Sequence, residues 1–168
     1  MTAGDANALP SVADVLAPVL ARVPRERQPL LIALAERMAA ERYRGWAAEP
    51  EYDAHRSGLL ACARREEDIA ERIEALYPQA ATVQSAIRAE IPDLDEINRG
   101  LFADRPLRQQ LAIQAQGERL GAATWRAFAA AAGTQAAAVF DACALLEEVS
   151  ADVLEEILGS SPDGSEAR

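Results

Sequence analysis

The chain has 168 residues and a formal net charge of -10. That length suits one domain with one sizeable core, and the acidity argues against nucleic acid or an anionic membrane surface as a partner. Half of the residues are hydrophobic and only 5% are aromatic. The dominance of alanine, leucine, glutamate and arginine, all strong helix formers, predicts an all-α fold. Lysine is absent, a bias that fits GC-rich codon usage better than a functional signal.

In chain order, "MTAGDANALPS" has neither the basic nor the apolar region of a signal peptide. No apolar run approaches the roughly 20 residues that span a bilayer, so the expected location is the cytoplasm. Residues 1–10 and 159–168 read as disordered ends around a single domain over 11–158. "SVADVLAPVLARV" predicts a short helix capped by Ser11, interrupted at Pro18 and stopped near Pro24. A long helix follows from Gln28 to Ala48, with Pro29 in its first turn and Pro50 just past its end. After the polar connector "EPEYDAHRSG" a second helix is expected up to about Tyr77. Residues 78–105 read as a crossover with short helical pieces near 82–90 and 93–102. A third long helix should start at Pro106, with Asp104 as its cap, and end near Ala132 with Gly133 in the left-handed position. The fourth, capped by Thr134, should reach about Leu158.

The second pair of long helices repeats the first. "AERMAAERYRGWA" aligns with "GERLGAATWRAFA", pairing Glu36 with Glu118, Tyr43 with Trp125 and Trp46 with Phe128. "ACARREEDIAERI" aligns with "ACALLEEVSADVL", pairing Cys62 with Cys143 and Glu66 with Glu147. The offsets are 82 residues for Glu36 and Glu118 and 81 for Glu66 and Glu147, which argues for a duplicated αα-hairpin.

Side chains at i, i+3, i+4 and i+7 share one helix face. Ile32, Ala39, Tyr43 and Trp46 flank Glu36 on its face, and Leu59, Cys62, Ile69 and Ile73 flank Glu66. Leu111, Gln114, Gly121 and Trp125 flank Glu118, and Phe140, Cys143, Ser150 and Leu154 flank Glu147. Each glutamate therefore interrupts an apolar stripe, while charged neighbours such as Arg65 and Asp141 fall mostly on other faces. Packing the four stripes together turns four carboxylates inward, which is very costly without partners. Divalent cations, buried arginines or shared protons would each relieve that cost.

These segments resemble the ferritin-like superfamily, and its rubrerythrin branch most closely. The resemblance covers about residues 30–158 and implies a four-helix bundle of two duplicated hairpins joined by a long crossover. It also implies a di-metal site, with Glu36 and Glu118 as terminal ligands, Glu66 and Glu147 bridging, and Tyr43 beside them. Ile69 and Ser150 stand where the family has histidines, and the one histidine, His55, lies in the connector. No rubredoxin-type cysteine pairs are present. The implied site is therefore all-carboxylate, suited to iron or manganese as hard ions, for metal handling or detoxification of oxygen species.

The alternative is a degenerate, metal-free bundle serving as an interaction or oligomerisation module. There the cofactor is none, and Arg37, Arg42, Arg119 and Gln114 are candidate partners for the carboxylates. An apolar outer face would favour this alternative, and a homodimer is compatible with either. The sequence names no protein partner. Cys62 and Cys143, each one turn before a glutamate, are expected as small reduced core residues, with a soft-ligand or redox pair as the sharper option. Tyr43, Trp46, Trp125 and Phe128 are expected as core packing.

Overall fold

The computed structural model describes residues 9–160. The described residues form seven α-helices and no strand. The expected disordered ends lie outside them except at residues 9–10 and 159–160, where Leu9 packs on the core and Gly159 ends the last helix.

Helix α1, Val12–Leu20, is capped by Ser11, whose hydroxyl accepts from the backbone N–H of Asp14. It runs through Pro18 rather than being interrupted there, and ends before Pro24. A single 3-10 turn, Arg25–Arg27, leads into α2, Gln28–Ala48, with the bounds expected from Pro29 and Pro50. The connector is helical: a 3-10 segment, Pro50–His55, runs directly into α3, Arg56–Glu74. Helices α4, Ala80–Glu90, and α5, Leu94–Gly100, occupy the crossover. The two longest helices are α6, Leu107–Ala131, and α7, Thr134–Gly159.

Three expected caps are absent: Thr134 is the first residue of α7, whose N-cap is Gly133 with no side-chain cap bond, and the other two are Asp104 and a left-handed Gly133. Asp104 makes no cap bond to α6, whose N-cap is Pro106, and its own backbone is left-handed at φ 60°. Gly133 has φ -70°, so the turn between α6 and α7 is made in extended backbone, with no left-handed glycine. The two residues of this turn, Ala132 and Gly133, both have strongly positive ψ, which reverses the chain in two residues.

Helix α2 packs along α3, α6 packs along α7, and α3 packs on α7. Long helices joined by short connectors and packed over their length must run antiparallel, and the apolar core divides accordingly. One cluster joins Leu30 and Leu34 of α2, Ile69 and Ile73 of α3, Trp125 of α6 and Phe140 and Cys143 of α7. The other joins Tyr43 and Trp46, Leu59 and Cys62, Leu111, and Leu154 of the same four helices. The four glutamates fall in the sequence between these two sets, so they form a polar layer dividing the core.

The fourth seam, between α2 and α6, is bridged by polar side chains. Trp46 Nε1 donates to Gln110 Oε1 at 2.9 Å, and Arg42 Nη2 donates to Gln114 Oε1 at 3.0 Å. Helix α1 packs against α6 over this seam, and its C-terminal end is tied down by Gln28, whose side-chain amide donates to the Leu20 and Val23 carbonyls at 3.1 Å.

The left-handed Asp104 separates the cap expected from the sequence from the backbone that is found. Loss of a real cap would cost about 1 kcal/mol, whereas glycine tolerates positive φ freely. Asp104→Gly is therefore expected to leave urea-unfolding stability unchanged or raise it by at most about 1 kcal/mol.

Candidate metal centre: a buried carboxylate layer

All four sequence-predicted glutamates are buried: Glu66 and Glu118 almost completely, Glu147 nearly so, and Glu36 with 8% of its surface exposed. One carboxylate oxygen each from Glu36, Glu66 and Glu147 lie within 4.8 Å of one another. Glu118 stands beside this trio and is engaged differently. Its Oε1 accepts from the Tyr43 hydroxyl at 2.6 Å and from the Gln114 side-chain amide at 2.8 Å.

Each carboxylate has at most one anchored oxygen. Glu147 Oε1 accepts from the Trp125 indole N–H at 2.9 Å. Glu66 Oε1 accepts from the Ser150 hydroxyl at 3.0 Å, and Ser150 in turn accepts from Arg65 Nε at 3.1 Å. The second oxygens of Glu66 and Glu118 are buried and accept from no N–H or hydroxyl donor, so that without a cation only a proton shared between neighbouring carboxyls would bridge them. A buried acceptor left unpaired costs about 1–3 kcal/mol, more when it is charged.

The site's electrostatics follow from this crowding. Burial raises Glu36 from 4.5 to about 7, helped by the charge of Glu118 and opposed by hydrogen bonds with Glu66 and Glu147 and by Arg42. Burial, followed by the charges of Glu118 and Glu36, pushes Glu66 well above the usual carboxylate range. Burial, followed by Glu36 and Glu118, does the same to Glu147. Burial also raises Tyr43, so it remains a phenol and donor. Arg42, the guanidinium whose charge opposes the rise at Glu36, is itself lowered to about 10 by burial. It lies 4.2 Å above the Phe102 ring and donates to Asn98 Oδ1 at 2.5 Å.

Several sequence expectations are corrected here. Arg37 and Arg119 do not reach the glutamates beside them in the sequence; they pair outward with Glu74, and with Glu155 and Asp152. Arg65, expected on another face, reaches across to Ser150 on α7 and to the Cys62 sulfur at 3.2 Å. Cys62 and Cys143 belong to opposite apolar clusters and do not meet. Burial raises both thiols, Cys143 to about 12, which suits small core residues and not thiolate ligands. Ile69, at the first expected histidine position, is wholly buried in the core. Ser150, at the second, contacts Glu66 as a hydrogen-bond donor.

Sequence reasoning missed Trp125 as a donor, Arg65 as a link and Asn98 as an acceptor. A signal was available for Trp125 alone, because it shares the Glu118 face.

Gly121 provides the space for Glu147. A β-carbon there would stand 2.5 Å from Glu147 Oε1, whereas one on Gly117, a turn earlier in α6, would meet nothing within 4 Å. No family model, curated protein or solved structure matches the chain.

Two predictions follow from this geometry. Gly117→Ala should add the helix-propensity gain of about 1 kcal/mol. Gly121→Ala should forfeit that gain and shift the Trp125 fluorescence as Glu147 is displaced from the indole. The second concerns protons. The folded state holds protons on Glu36, Glu66 and Glu147 more tightly than the unfolded chain does, so stability is fullest below the unfolded value near 4.5 and falls as pH rises through the folded values. Glu74 and Glu155, held low by Arg37 and Arg119, act in the opposite sense but only as pH falls through the ordinary carboxylate range. Chelator-treated protein should therefore lose stability between about pH 5 and about pH 8, and Glu66→Gln should flatten that slope by removing one of the titrating groups.

Proposed function

We propose that this chain is a ferritin-like four-helix bundle, built from a duplicated hairpin, whose carboxylate layer holds divalent metal. One observation carries the proposal: Glu66 and Glu118 each keep a buried carboxylate oxygen that no N–H or hydroxyl donor reaches, beside the Glu36–Glu66–Glu147 oxygen cluster. A bundle optimised without metal would be expected to fill those positions with donors or apolar groups. The donor set is four carboxylates, which is hard and anionic and matches iron(II) or manganese(II) better than a soft ion. Two divalent cations would balance four carboxylates.

In this reading Glu36, Glu66, Glu118 and Glu147 hold the metal. Bound iron or manganese would supply redox chemistry toward oxygen species. The other residues act on the ligands themselves. Ser150 and Trp125 each fix one oxygen of Glu66 and Glu147, leaving the other oxygen for a cation. Tyr43 and Gln114 hold Glu118 through a single oxygen in the same way. Arg42 orients Gln114 from behind. Burial in a largely apolar core lowers the local dielectric around the layer, which strengthens the electrostatic interactions within it.

Elemental mass spectrometry of untagged protein, before and after anaerobic loading with iron(II) or manganese(II), tests the proposal. The expected outcome is about two metals per chain, lost in the Glu66→Ala Glu147→Ala double variant, with uptake weakening at low pH as protons compete. Absence of uptake under both loadings would overturn it.

A second reading is favoured by Leu145 and Val149, which lie one turn apart on α7 and are 59% and 46% exposed. They would serve a metal-free bundle as a contact face between two copies. Sedimentation that gives a dimer in the wild type and a monomer in Leu145→Glu would support that reading.

A further inference from the structure

A cavity of about 240 Å³ lies in the seam between α2 and α6 and runs beneath α1. Its wall is largely aliphatic, with Leu16 and Leu20 from α1, Ile32 and Ala39 from α2, and Ile113 and Leu120 from α6. Glu36, Glu118 and Glu147 also belong to the wall, so an occupant reaches the carboxylate layer without crossing a helix. The other polar groups beside it are already engaged: Arg42 and Gln114 with each other, Arg42 with Asn98, and Thr124 with the Leu120 carbonyl.

Size and chemistry narrow the occupant. An apolar cavity of about 150 Å³ holds a six-carbon ring, so one of about 240 Å³ holds roughly ten non-hydrogen atoms in proportion. The aliphatic wall favours an apolar body, since a hydrated ion or peroxide would surrender its hydrogen bonds to water there. The carboxylate end sets the head group. An anionic head would face three glutamates. An ammonium head would lose its hydration and, in a metal-loaded protein, would face the metal's charge. A hydroxyl suits both states: it donates to a carboxylate oxygen, and its lone pairs can face a cation.

We propose that the α1–α2–α6 cavity is a binding site for a neutral, medium-chain aliphatic alcohol or a molecule of that chemistry, seated with its hydroxyl against the carboxylate layer. Only the choice of head group rests on the metal-binding proposal; the apolar body follows from the cavity alone. The site sets the substrate class that could meet the carboxylates from this side, favouring apolar organic molecules over hydrated ones.

Gly117 provides a structural test, because it lines the cavity and an added β-carbon there meets nothing within 4 Å. Isothermal titration of the full chain with straight-chain alcohols from butanol to decanol, both chelated and manganese-loaded, gives the primary measurement. Saturable one-to-one binding should be tightest near octanol, with octylamine and octanoate weaker. Gly117→Leu should weaken octanol by at least about tenfold through loss of the buried chain contacts, while helicity and metal uptake stay as in the wild type. Gly45→Leu, at an exposed glycine of α2 whose added β-carbon also meets nothing, should leave binding intact.

Failure of octanol to bind in either state, or an equal loss in both glycine variants, would overturn the site. Tighter binding of octylamine or octanoate would overturn the hydroxyl assignment. Octanol binding to a protein that takes up no metal would overturn the metal-binding proposal and leave the cavity site standing. Metal uptake without octanol binding would do the reverse.

Discussion

The cost of burying four carboxylates in one layer organises this protein. Any one of them alone in an apolar core would be expected to stay protonated or to pull in water. In the layer burial is joined by the charge of Glu118 in raising Glu36, Glu66 and Glu147, while hydrogen bonds from Glu66 and Glu147 oppose the rise at Glu36. The fold meets the cost only in part. Tyr43, Gln114, Ser150 and Trp125 each supply one donor, and all four are themselves buried. Two oxygens remain that no N–H or hydroxyl donor reaches.

The layer also explains the division of the core. Each long helix carries apolar residues on both sides of its glutamate, so two apolar clusters form, one toward each end. Three of the four seams between neighbouring helices close by direct helix contact. The α2–α6 seam instead carries a ladder of polar links and the cavity, roofed by α1. A short amphipathic helix at the start of the chain thereby becomes part of the wall of a potential binding site. Its attachment through Gln28 to the Leu20 and Val23 carbonyls ties the roof to the first residue of α2.

Serine at position 150 has a local physical consequence. A serine cannot reach as far as an imidazole and ligates metal poorly, but it relays a hydrogen bond. Arg65 donates to Ser150, and Ser150 donates to Glu66. A positive charge from the half-buried edge of α3 is thus coupled to a wholly buried carboxylate through one hydroxyl. At position 69 no such relay exists, because isoleucine simply extends the apolar cluster.

Much of this was legible along the chain. Prolines 29 and 50 bound α2 because proline is tolerated in a first turn and ends the helix before it. Spacing of three and four residues placed all four glutamates on apolar faces, and all four are buried. Short-range chemistry was misread where backbone geometry decides, as at Asp104 and Gly133. The partners of the carboxylates were mostly illegible, because the Arg65–Ser150 and Tyr43–Glu118 pairs are 85 and 75 residues apart and form only when helices are set side by side. Helical periodicity determines which face a residue occupies, and so the sequence alone determined that carboxylates would turn inward. Only tertiary packing decided how far apart the helices stand, which oxygens are left unpaired and where a cavity opens, because those depend on distances between faces that no single helix contains.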